Sequence, residues 1–340
     1  MAKPKEYWEE RAAQREMESQ LIASVFLARM DESLREAQRD ILRQIEAFYA
    51  RYAIDNQVTL AEAKKYLTAK ELKDFKNIDL KQFRAMSLSE NPDYDRILNA
   101  VSYRSRISRL ELLNLNIEMR MMELYSGKKG LQEYTYTGLA EVYQASYYQS
   151  MFSLAQAGAI TGTVAVITDK TMKDVLTYNW SGKEFSDRVW GHQASTRATI
   201  RKELEKSFAA GRSIQKTSKA IMVATDASLS RAEALVRTEA NFFHGLAAQN
   251  SYTDAGIEKY EVLATLDSRT STICREQDGK VYDAKDYQPG VTANPFHVRC
   301  RSTTIARIDE SEYMVDEQRQ SADGLIESMT YEEWFGKYVK

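Results

Sequence analysis

The chain has 340 residues, of which 43% are apolar and 28% charged, and its formal net charge is −2. That length supports two or three domains with real cores, and the near-neutral balance gives no global case for binding nucleic acid or a membrane. Two cysteines are too few for a secreted disulfide framework, which points to an intracellular origin.

The opening residues, MAKPKEYWEERAAQREMESQ, are charged from the start and hold no apolar signal-peptide region. The four prolines stand at Pro4, Pro92, Pro289 and Pro295, so long helices are permitted between them. From Tyr7 to Tyr52 helix breakers are almost absent. Leu34, Ala37, Ile41, Ile45 and Phe48 recur at steps of three and four, which sets them on one helical face. Thr59-x-x-Glu62 and Thr68-x-x-Glu71 fit capping boxes of shorter helices, and ENPDYD at 90–95 reads as a turn and boundary. A second long helix is expected from about Ile97 to Tyr125, ending at SGKKG. Met119, Met121, Met122, Tyr143, Tyr147, Tyr148 and Met151 supply large, adaptable surface for helix–helix packing. The uncharged run 150–168 contains Gln156, two glycines and several threonines and makes a poor membrane span.

SGKEFSDRVW at 181–190 leads into an amphipathic segment to Ala210, which AAGRS breaks. Ser230-x-x-Glu233 is expected to cap a helix running to about Asp254. On that helix Ala232, Val236, Glu239, Phe243 and Leu246 share a face, so the Glu239 carboxylate needs a polar or charged partner. Arg269 and Arg301 are the candidates. After Gly256 the period changes to two: Tyr260, Val262, Ala264 and Leu266 alternate with polar or outward positions in a strand ending at Asp267. Asp278-Gly279 marks a tight turn into a short strand at KVYDA, and STTIARI at 302–308 is a third strand. The reading is a mostly α protein: a long helical N-terminal region and a small α+β C-terminal domain. Its expected divisions are 1–92, 93–180, 181–308 and an acidic tail at 309–340. The tail carries nine acidic against three basic residues, while 182–240 carries eleven basic against seven acidic. Solvated helix faces explain that asymmetry, with Trp334 and Phe335 free to dock.

Cys274, His297 and Cys300 form the strong-ligand grouping of the chain. Histidine and cysteine three apart in a turn can face one point, and Cys274 precedes them by a loop. Four readings stand open: a zinc site with Asp267 or water as fourth ligand, a buried thiol pair with a hydrogen-bonded histidine, a Cys274–Cys300 disulfide, and a Cys300 nucleophile with His297 as base. Phosphate-binding glycine loops, HExxH and GxSxG are absent. His192 and His244 read as lone helical histidines without chemistry.

The order of these pieces carries more than any one of them. Arg237-Thr238-Glu239 on a helix precedes a glycine and a strand. Then come Asp267-x-Arg269-Thr270, Cys274, Asp278-Gly279-Lys280-Val281, and Pro295-x-His297-x-x-Cys300-Arg301-Ser302. This succession, over about 180–308, resembles the Mu F-type head morphogenesis family, the minor head proteins of tailed bacteriophages. Two positions depart from the family pattern: Ser271 stands where many relatives carry a cysteine, and Val298 where many carry proline. The resemblance implies a non-enzymatic virion component inside the capsid near the portal vertex, assembled in the host cytoplasm. Its implied partners are the portal protein, other head proteins and genomic DNA, with no membrane. Its implied work is procapsid assembly and DNA packaging or ejection. In that reading Glu239, Asp267, Arg269, Cys274, His297, Cys300 and Arg301 form a structural clasp, with structural zinc at Cys274, His297 and Cys300 as an option. An internal DNA-binding protein ejected with the genome and a metal-dependent or cysteine hydrolase are the alternatives. Some relatives fuse the domain to toxin or enzyme modules, for which the stretch after residue 310 is too short.

Overall fold

A computed structural model describes residues 3–55, 109–126, 130–160, 162–180, 182, 185–209, 214–308 and 330–339. The helices are α1 (Lys5–Asp55), α2 (Arg109–Ser126), α3 (Leu131–Gln156), α4 (Asp169–Leu176), α5 (Phe185–Ala209) and α6 (Ile214–Asp254). A small sheet region follows: β1 (Lys259–Leu263), α7 (Thr272–Gln277), β2 (Val281–Asp283) and β3 (Thr303–Arg307), with α8 (Tyr331–Tyr338) behind it. The protein is therefore mostly α with a small α+β region toward its C-terminus, as its sequence indicates. No helix among the described residues is long and apolar enough to cross a membrane. The proposed capping boxes at Thr59 and Thr68, the ENPDYD turn, the start of the second long helix and residues 309–329 of the tail lie outside the described residues.

The chain forms two compact units. One comprises Met1–Ala28, Thr135–Phe185 and Glu233–Lys340; the other comprises Arg29–Tyr134 and Ser186–Ala232. In the second unit the predicted stripe of α1 is the core: Leu34, Ala37, Ile41, Ile45 and Phe48 are all buried, as are Ile117, Met121 and Met122 of α2. Gln38 Nε2 donates to Thr225 Oγ1 at 2.5 Å, and Arg120 Nε lies 2.9 Å from Asp40 Oδ2, so polar groups at the edge of this core are paired.

In the first unit α3 lies against the N-terminal turns of α1. A Cβ at Gly138 would overlap the Phe26 ring, so glycine sets how closely these helices approach. Tyr143, Tyr147, Tyr148 and Met151 of α3 are buried, in keeping with their expected packing role. The end of the acidic tail docks on the same helix. Thr330 and Glu333 form a capping box that starts α8, and Trp334, 1% exposed, packs on Phe152 with ring centroids 5.4 Å apart. Phe335 meets Tyr148 edge-on at 4.9 Å.

The sheet is antiparallel in the order β2-β1-β3, with Tyr260 opposite both Tyr282 and Ala306. All three strands fall where the sequence places them, but β1 stops at Leu263 rather than Asp267. Beyond it the Asp267 and Thr270 side chains take over the local backbone groups: Thr270 Oγ1 donates to the Thr265 carbonyl at 2.6 Å and accepts from Asp267 N at 2.7 Å. Such local side-chain bonds compete with a ladder, so Leu266 ends 66% exposed instead of facing the core. Glu261 departs from the expected alternation in the other direction. It is 1% exposed, between Lys5 Nζ of α1 at 2.8 Å and Arg307 Nε of β3 at 2.8 Å. A second correction concerns Ser230, which lies inside α6 and caps nothing. The residues before it, Asp226-Ala-Ser-Leu, contain no glycine or proline to interrupt the helix.

His244 occupies the middle of the first unit's core. Its Nδ1 is 2.8 Å from Ser146 Oγ of α3 and its Nε2 2.9 Å from Thr303 Oγ1 of β3. Burial, aided by nearby Arg15, pushes its pKa down to about 3. An unfolded histidine titrates near 6.5. Below that pH the unfolded chain binds a proton that the folded chain refuses, so stability falls as pH drops from about 6.5 toward 3. The slope from this one group approaches about 1.4 kcal/mol per pH unit. Urea midpoints should therefore decrease between pH 7 and pH 5, with nitrogen NMR reporting a neutral His244 ring throughout. An imidazolium at pH 5 in the folded protein contradicts this assignment.

Candidate functional site

The C-terminal half of α6 is buried nearly all round, and it is the element on which the 294–304 segment is mounted. Polar side chains stand along it at Thr238, Asn241, His244 and Tyr252, and each meets a group of that segment. Thr238 Oγ1 accepts from Arg299 N at 3.0 Å. Asn241 Nδ2 donates to the Ser302 carbonyl at 2.9 Å, while its own carbonyl and Oδ1 both accept from Asn294 Nδ2 at 3.0 Å. His244 reaches Thr303, and the Tyr252 hydroxyl donates to the Thr304 carbonyl at 3.0 Å. Gly245 leaves room for Asn294, whose Nδ2 would lie 2.8 Å from an added Cβ. Buried backbone groups must find partners, and an irregular segment cannot supply them to itself.

This mounting shapes the turn that carries His297 and Cys300. Arg299 adopts φ 60°, uncommon for a residue with a side chain, and Cys300 N closes the turn onto the His297 carbonyl at 3.2 Å. The His297 Nδ1 lies 2.8 Å from the Val298 carbonyl. A carbonyl only accepts, so Nδ1 donates to it and Nε2 faces the other way. In that direction stands Cys274 Sγ, 3.1 Å away, and Cys300 Sγ is 3.8 Å from Cys274 Sγ. Ser271 starts α7 by accepting from Cys274 N at 3.2 Å, which fixes Cys274 in the first turn. Both thiols are free and buried. A hydrogen bond from Cys300 lowers the Cys274 pKa well below the usual thiol range, while that same bond and burial push Cys300 up. Among the described residues these three side chains are also the group of His, Cys and acidic residues able to share a metal ion, with ligand atoms all within 4.8 Å.

Asp267 sits at the other edge of the cluster. Arg301 holds it with a two-pronged fork, Nη1 at 2.8 Å and Nη2 at 2.7 Å, and Arg269 adds a backbone N–H at 2.8 Å. The Arg301 fork, seconded by that N–H, keeps the Asp267 carboxyl far below the usual range. The expected pairing of Arg269 or Arg301 with Glu239 is therefore corrected: both arginines turn to Asp267. Glu239, 1% exposed, accepts instead from the Trp180 indole Nε1 at 3.1 Å, and Trp180 stacks on Phe242 at 5.0 Å. The reason is geometric, since the Asp267–Thr270 turn presents its carboxylate next to Arg301 at the exposed rim, away from the face of α6 that carries Glu239. Asp267 is thereby occupied as a carboxylate partner and is not free to serve as a fourth metal ligand.

Sequence reading missed Trp180 and the polar row of α6. The signal was present: Asn241 and His244 interrupt an otherwise apolar stretch, ANFFHGLAA, at a spacing of three.

Residues 198–305 match the family model described as phage Mu protein F like protein. That match spans the polar row of α6, the Asp267 turn, both cysteines and His297, and most of the sheet. The chain is also 24% identical over 266 residues to NAD(+)–arginine ADP-ribosyltransferase EFV of Enterococcus faecalis, covering 73% of this chain and 53% of that protein. The chain thus spans about half the length of that relative. No solved structure matches it.

The fork and the buried carboxylate make separable predictions. Arg301→Ala and Asp267→Asn should be non-additive in stability, whereas Arg301→Ala and Glu239→Gln should add. Urea denaturation of the single and double variants measures both cycles, and strong coupling of Arg301 to Glu239 contradicts the assignment.

Proposed function

We propose that the chain is a phage head morphogenesis protein, a minor capsid component that associates with the portal protein inside the head. It acts in procapsid assembly and in DNA packaging or ejection, is made in the host cytoplasm, and ends in the virion near the portal vertex. The observation that carries this reading is the family match at 198–305, because it falls on the segment where the chain concentrates its buried polar chemistry. Within that segment the Asp267–Arg301 fork and the Cys274, His297 and Cys300 group act as a clasp that holds loops in place. The work of the clasp is structural, and the long helices offer the extended surfaces that a many-partner assembly uses.

A second reading comes from the name of the relative in Enterococcus faecalis, which is an enzyme. The shared region covers 73% of this chain and 53% of that protein, so arginine ADP-ribosylation is the second reading for this chain. The two readings separate in one preparation. Co-expressed with the portal protein of the same phage, the chain should co-elute with it in size-exclusion chromatography and transfer no label from NAD+ to an arginine substrate. Separate elution under all salt conditions contradicts the portal association, and label transfer contradicts the non-enzymatic reading.

A further inference from the structure

The Cys274, His297 and Cys300 cluster supports an inference that does not depend on the head role. Three readings of it remain after the geometry: a hydrogen-bonded thiol pair, a cysteine–histidine nucleophile, and a metal site. A tetrahedral zinc ion with Zn–S bonds of about 2.3 Å separates two thiolate sulfurs by about 3.8 Å and a sulfur from an imidazole nitrogen by about 3.6 Å. The two sulfurs already stand 3.8 Å apart. The Cys274 Sγ to His297 Nε2 distance of 3.1 Å is shorter than such an edge by about half an ångström, a shift that one side-chain torsion absorbs. The third pair closes within the 4.8 Å that encloses all three ligand atoms.

The surroundings are those of a prepared ligand set. The Val298 carbonyl accepts a hydrogen bond from Nδ1, which orients the ring with Nε2 toward Cys274 Sγ. Cys274 is set by the Ser271 cap, and Cys300 by the turn that Thr238 anchors through Arg299 N. The ligands therefore arise from two separately braced pieces of chain, α7 and the 297–300 turn, on either side of the segment that carries β2. Among the described residues no acid joins this group, and the Asp267 carboxylate is held by Arg301. His297 is only half-buried, so the open side of the cluster reaches solvent.

We propose that Cys274 Sγ, His297 Nε2 and Cys300 Sγ bind one zinc ion, or a similarly thiophilic divalent cation, with a water molecule as the fourth ligand. Binding releases the thiol protons to solvent, and the bound ion ties α7 to the 297–300 turn. Its role is to tie together the two ends of the segment that carries β2.

Cobalt(II) is the probe. The full-length chain, reduced and stripped of metal, is titrated with Co2+ and followed by absorption spectroscopy. The expected result is one ion per chain with the intense visible bands of a tetrahedral site and a thiolate-to-cobalt charge-transfer band, both displaced by one equivalent of zinc. Cys274→Ser and Cys300→Ser should each abolish the charge-transfer band or halve it. His297→Ala should weaken binding by at least about tenfold, since even loss of a supporting contact costs that much. Should a variant fail to fold by circular dichroism, the wild-type titration decides alone. No tetrahedral spectrum with both thiols reduced, a weak octahedral spectrum, or a charge-transfer band that survives both cysteine substitutions overturns the proposal. Rapid alkylation of Cys300, or of Cys274 beside His297, in metal-free protein that also fails to take up cobalt favours a cysteine nucleophile and overturns the proposal as well.

Discussion

The first unit depends on one constraint: the stretch 294–304, irregular until β3 begins at Thr303, packs against a helix and must have its buried polar groups satisfied there. α6 meets that demand with four polar side chains, Thr238, Asn241 and His244 on successive turns and Tyr252 two turns further on. A typical hydrogen bond contributes only about 1 kcal/mol net, but a buried group stripped of its partner costs about 1–3 kcal/mol. The row therefore works as a set of requirements more than as a sum of attractions. It fixes where the 297–300 turn lies, and through the turn it fixes where His297 and Cys300 meet Cys274. The chemistry of the cluster follows from the helix, not from the loop.

The sheet shows the same logic from its other face. Its central strand buries Glu261 as well as Tyr260 and Val262, which removes the expected polar side. That burial is tolerable because Lys5 and Arg307 bring two cations to one carboxylate. Breaking such a group by removing one partner leaves a charge stranded, which is why a buried carboxylate here implies its cations. The tail helix α8 closes a different part of the unit with aromatic contacts, Trp334 and Phe335 on Phe152 and Tyr148, so no charge needs compensating there.

Much of this was legible in the sequence. The apolar stripe of α1, the three strands and the grouping of Cys274, His297 and Cys300 followed from spacing alone, because periodicity and rare residue types are local signals. Partner choice was not legible. Glu239 was rightly placed on an inward face, yet its partner is an indole more than fifty positions upstream, and arginine was the natural guess for a carboxylate. The end of β1 was misjudged because alternation continues past Leu263, while the Asp267–Thr270 side chains quietly offer the backbone a better arrangement. Ser230 carries a capping pattern, but a cap needs a break before it, and α6 has none. Asn241 and His244 were visible as polar intrusions in an apolar run. What they face, a backbone segment some fifty to sixty residues away in sequence, is a property of the fold.

A head protein of the kind proposed must keep a small domain intact through assembly, and the α6 row is what makes that domain a single piece. Hydrogen exchange measured by mass spectrometry on wild type and Asn241→Leu tests this most directly. The account predicts that the substitution exposes the amides of 294–304 to exchange by at least about tenfold, since 1.4 kcal/mol is a factor of ten and the Ser302 carbonyl and Asn294 amide both lose a partner. Peptides from α1 residues 29–55, in the other compact unit, should keep their protection. Unchanged exchange across 294–304 in a folded Asn241→Leu protein would contradict the claim that α6 holds the segment in place.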